Sequence, residues 1–91
     1  MAGIVAVIVK IMPEAPDTDL EAIKHEAKKC LESHGAKNIS FEVKPYAFGL
    51  NAIFAKFAWP EEKDTNLFED ALAEIKDVAT AVTSDYRRAF G

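Results

Sequence analysis

The chain has 91 residues, of which 49% are apolar, enough for one two-layer domain with its own core and too many for a disordered segment. Its 11 basic and 15 acidic residues give a formal net charge of −4, which argues against a general nucleic-acid binder, because phosphate attraction needs a basic face. One cysteine, Cys30, rules out an internal disulfide and suits a reducing cytosol.

Gly3 to Met12 is rich in Val and Ile on both strand faces, the pattern of a strand in the middle of a sheet. It is too short for a transmembrane span and lacks the basic lead-in of a signal peptide. Ala2 rather than Gly follows Met1, so no myristoylation signal is present. The expectation is a cytoplasmic domain over residues 1–91, with no membrane partner. Lys10 marks one face of the strand as reaching solvent or a partner.

Pro13 and Pro16 break the strand. Thr18 with Glu21 makes a capping-box pattern for a first helix. Leu20, Ile23, Ala27, Cys30 and Leu31 form its apolar stripe, and Gly35 supplies the stop. From Asn38 to Lys44 the residues alternate, with Ile39, Phe41 and Val43 on one face and Ser40, Glu42 and Lys44 on the other. That is a half-buried strand, expected at a sheet edge. Leu50 to Trp59 is apolar on both faces and is expected to be the second central strand, ended by Pro60.

Asp64-Thr65-Asn66 offers the cap of a second helix, with Leu67, Phe68, Ala71, Leu72 and Ile75 inward and Glu69, Asp70 and Glu74 outward. Val78 to Asp85 reads as the last strand, and Tyr86 to Gly91 as a tail carrying Arg87 and Arg88. The order β-α-β-β-α-β with right-handed crossovers puts the first and third strands in the centre and both helices on one face. This is the α+β ferredoxin-like sandwich with a four-stranded antiparallel sheet. Ile4, Ala6, Ile8 and Phe54 are expected on the face without helices, where a partner or weak self-association would cover them.

No constellation for catalysis, metal or cofactor binding emerges. His34 lies four residues after Cys30, but His25 projects elsewhere and no second cysteine exists; a helix-end or surface role fits His34 better. Glu61-Glu62 and Glu69-Asp70 read as solvated carboxylates, and the glycines are too scattered for a phosphate loop. RNA binding, the same topology's other use, is a less favoured alternative on two points. Phe54 and Phe57 fall on opposite faces, and the basic lead-in before Phe48-Gly49 is missing.

The most informative stretch is Lys44-Pro45-Tyr46-Ala47-Phe48-Gly49-Leu50, between two strands. Pro45 fixes its own φ, Gly49 permits a positive φ, and Phe48 stands where a polar turn residue is expected. Phe48 either folds back over the sheet end as core or is a stiffly held anchor for a partner. Arg87 and Arg88 read either as a solvated pair or as a contact to acidic or phosphate groups.

Three stretches carry a family resemblance. Val7 to Ile23 is similar to the opening of archaeal elongation factor 1-beta, Lys44 to Leu50 resembles that family's central turn, and Val82 to Arg88 its C-terminal signature. The resemblance implies a ferredoxin-like guanine nucleotide exchange factor, not an enzyme, for the translational GTPase elongation factor 1-alpha. It also implies that Phe48 enters a pocket on the GTPase, with Tyr46 and Gly49 shaping its presentation. On this reading Phe48 wedges near the nucleotide while the basic tail, Arg87 and Arg88, contacts groups close by. The alternative is a ferredoxin-like module that binds a small ligand or dimerises. Three features depart from the family: Asp77 stands where relatives often have Gly, Pro60 to Asp64 replaces a glycine-containing stretch, and Ala89-Phe90-Gly91 lacks the near-terminal lysine of eukaryotic relatives.

Overall fold

The structure is a computed structural model that describes residues 3–46 and 49–88, with the side chain of Arg88 also left aside. Its elements are β1 (Ile4–Pro13), α1 (Leu20–Ser33), β2 (Lys37–Pro45), β3 (Asn51–Pro60), α2 (Asn66–Ala73) and β4 (Val78–Arg88). One antiparallel sheet runs in the order β2-β3-β1-β4. The first and third strands are therefore central, and the fold is the ferredoxin-like sandwich. No helix among the described residues is long and apolar enough to cross a membrane.

Period-two alternation decides which side of the sheet is covered. Val5, Val7, Val9 and Ile11 of β1 are opposite Trp59, Phe57, Ala55 and Ile53 of β3, and all eight are buried. Both helices pack on this side, α1 through Ile23, Ala27 and Leu31 and α2 through Phe68 and Leu72. Phe68 contacts two rings edge to face, Trp59 at 4.9 Å and Phe57 at 5.1 Å between centroids. The Trp59 indole N–H donates to the Lys63 carbonyl at 3.3 Å, so burial leaves no donor unpaired there. Ile4, Ala6, Ile8 and Phe54 lie on the opposite face, exposed or half-buried.

Several local expectations change. Asp19, not Thr18, caps α1, its carboxylate accepting from the N–H groups of Glu21 and Ala22. Thr18 is engaged one turn earlier, its hydroxyl accepting from Ala15 N–H. Thr65 at the start of α2 makes no side-chain cap; Asp64 instead accepts from Asn66 N–H at 2.9 Å. Glu69 does not point to solvent. It turns toward β4, where its carboxylate accepts from both the N–H and the hydroxyl of Thr83. Leu67, expected inward, is 44% exposed because so short a helix presents its apolar face through Phe68 and Leu72.

The largest change is at the end of the chain. Tyr86, Arg87 and Arg88 are not a tail but the last residues of β4, paired with Val7, Ala6 and Val5. A register shift between Ile8 and Val9 inserts one extra residue into β4. Thr83 is opposite Val9 on the helix side, whereas Asp85 is opposite Ile8 on the open side. Without that bulge, Asp85 and Arg87 would face the helices.

Asp77, in the connection from α2 to β4, adopts φ 71°, and its carbonyl accepts from Glu14 N–H at 2.9 Å. Glycine enters this left-handed region without the Cβ penalty that Asp carries. Asp77→Gly is therefore expected to raise unfolding stability by about 1 kcal/mol in a urea titration. Phe68→Ala removes the ring shared by Trp59 and Phe57 and is expected to cost about 3–5 kcal/mol in the same measurement.

Candidate functional site

The β2–β3 turn is closed by Tyr46 N–H donating to the Leu50 carbonyl at 2.7 Å. Gly49 has φ +73°, and a Cβ placed there would meet nothing within 4 Å. The backbone conformation therefore demands glycine here, while the space does not. Ala47 and Phe48, at the tip, lie outside the described residues.

Tyr46 is 49% exposed and is held from below. The Lys10 ammonium donates to its hydroxyl at 3.0 Å and lies 4.5 Å from the ring centroid, toward the hydroxyl end. Lys10 stands on β1 opposite Phe54 of β3, and the Lys44 ammonium lies 5.4 Å from the Phe54 ring. Lys44 also pairs with Glu42 at 3.0 Å. The hydrogen bond and charge of Lys44, with Lys56 behind it, hold the Glu42 carboxyl below the usual carboxylate range. The only sequence signal for the Lys10–Tyr46 contact is a lysine in an otherwise apolar strand.

Arg87 lies on the same open face at the other end of β4, its guanidinium 3.0 Å from Asp85. Arg87 is largely exposed and Asp85 half-buried, so water screens the pair and it contributes little to stability. Arg88 closes the strand opposite Val5. The predicted site residues thus fall in two groups. β2 runs up to the turn and β3 runs down from it, while β4 descends to Arg87 and Arg88 at the opposite end. At roughly 3.3 Å per residue, Tyr46 is separated from Arg87 and Arg88 by about 25–30 Å along the sheet. The structure does not bring Tyr46 and Gly49 together with Arg87 and Arg88.

The remaining candidates have local roles. His34 is the C-cap of α1, and its carbonyl accepts from the Lys63 ammonium, which also lies 5.7 Å from the Trp59 ring centroid. Burial, with Glu74 nearby, pushes the Cys30 thiol up from its ordinary value, away from the thiolate a metal or a nucleophile requires. Among the described residues no group of three or more His, Cys, Asp or Glu is placed to hold a metal ion.

Comparison with known proteins fits this arrangement of turn and sheet. The model of the EF-1 guanine nucleotide exchange domain matches residues 6–87. Elongation factor 1-beta of Methanobrevibacter smithii is 39% identical over 94% of this chain and 97% of its own length. That of Methanosphaera stadtmanae is 35% identical over 92% and 94%, and that of Methanocaldococcus jannaschii 38% over 91% and 93%. The matched region runs from the second residue pair of β1 through the turn to Arg87 at the end of β4, so the chain belongs to the EF-1 guanine nucleotide exchange domain family.

Proposed function

We propose that the chain promotes GDP release and GTP reloading on the translational GTPase elongation factor 1-alpha, acting in the cytoplasm and making or breaking no covalent bond. The observation that carries this reading is the family match over residues 6–87, which takes in both helices and all of the sheet but the first two residues of β1 and the last of β4. The closed turn adds support, because Pro45, the Tyr46–Leu50 hydrogen bond and the positive φ of Gly49 define the base of the turn that carries Phe48. A stiff support lowers the entropy lost when an aromatic anchor is captured.

Exchange is linkage. A protein that binds the empty GTPase more tightly than the GDP-bound form must weaken GDP binding by the same factor. The separation along the sheet refines the mechanism implied by the family resemblance. Phe48 at the turn and Arg87 and Arg88 at the far end engage separate parts of the GTPase, bridged by one rigid sheet. The bridge fixes the distance between the two contacts, and the GTPase conformation that matches it is the one that has lost GDP.

In a GDP-release assay on purified elongation factor 1-alpha, catalytic amounts of this chain are expected to speed release. Phe48→Ala is expected to slow the stimulated rate by roughly tenfold or more, as for a buried aromatic hot spot. Release as fast as with the parent chain would remove Phe48 from the mechanism.

A further inference from the structure

The face of the sheet away from the helices has a chemistry of its own. Five of the chain's cationic side chains, Lys10, Lys37, Lys44, Lys56 and Arg87, stand on it among the described residues, but only two acids, Glu42 and Asp85. Each acid is already paired with a cation of the same face, Glu42 with Lys44 and Asp85 with Arg87. An acidic chain has thus segregated an excess of positive charge onto one surface. Between these charges lies an apolar hollow of about 340 Å³ lined by Ala6, Ile8, Asn38, Lys56 and Ala58.

We propose that this face docks an acidic patch of a protein partner, with one apolar side chain of that partner seated between Ile8 and Ala58 and carboxylates set around Lys56. The proposal rests on the exchange-factor reading and names the surface through which the GTPase is held between the two ends of the sheet. Charge complementarity selects this occupant. A second copy of the chain would set an excess of like charge against itself. Single-stranded RNA is disfavoured because the Glu42 and Asp85 carboxylates on the same face would meet its phosphates.

Lys56 is exposed and takes part in none of the contacts that hold the turn, so it is the residue to reverse. Calorimetric titration of the intact chain with purified elongation factor 1-alpha is run at about 50 mM and about 300 mM salt. Lys56→Glu is expected to weaken binding about tenfold at low salt and to flatten the salt dependence, with an unchanged thermal midpoint. Ala58→Glu, which fills the hollow with a charge, is expected to weaken binding at both salt concentrations. Lys29→Glu, on the exposed side of α1, is expected to match the parent chain. If the parent binds and Lys56→Glu and Ala58→Glu bind equally well, the docking assignment is wrong while the exchange reading stands. If the parent itself neither binds nor speeds GDP release, the exchange reading falls and this proposal with it. A uridine oligonucleotide bound by the parent and lost in Lys56→Glu, at unchanged GTPase affinity, would overturn the assignment in favour of RNA. A dimer of the parent dissociated by Lys56→Glu in sedimentation would overturn it in favour of a second copy.

Discussion

Packing of Phe68 against Trp59 and Phe57 is the contact on which the remainder of the molecule depends. Phe57 and Trp59 are two apart on β3 and so project from the same face of the sheet, and one ring from α2 meets both edge to face. This places α2 over the sheet with β4 next in line, close enough for Glu69 to reach Thr83. With α1 burying Ile23, Ala27 and Leu31 on the same side, the helices leave the other side of a four-stranded sheet uncovered. The exposed face is thus a consequence of where the aromatic cluster sits, since a sheet this small carries both helices on one side.

An uncovered face needs its own means of staying in water. Here the strands place charge between apolar positions, with Lys10 and Lys56 on the two central strands and the Glu42–Lys44 and Asp85–Arg87 pairs on the two edges. Charged edges also discourage pairing with a foreign strand. Lys10 serves twice, keeping the centre polar and tethering Tyr46 below the turn. The same residues that keep the face soluble therefore give the turn a defined base.

Much of this could be read from residue order. Alternation from Ile39 to Val43 set Ile39, Phe41 and Val43 on one face, and the three-residue offset of Phe54 and Phe57 put them on opposite faces. Where the reading failed, two residues of similar chemistry competed for one place. Thr18 and Asp19 both cap helices, and the N–H of Ala15 took Thr18. Asp64 and Thr65 competed likewise, and Asp64 prevailed. Glu69 on a polar helix face looks solvated until β4 is laid beside it.

Sequence by itself determined the element order, the covered and uncovered faces, the central strands and the place of the turn between β2 and β3, because these follow from periodicity and from the backbone preferences of Gly and Pro. The resemblance in Val7 to Ile23, Lys44 to Leu50 and Val82 to Arg88 pointed to the family. Only the tertiary structure decided where the C-terminal arginines lie. Tyr86-Arg87-Arg88 has no apolar period to mark it as strand, and its pairing partners are at the far end of the chain, in Val5 to Val7. The bulge opposite Ile8 and Val9 is likewise a property of two strands together, and that single extra residue turns Asp85 and Arg87 onto the open face.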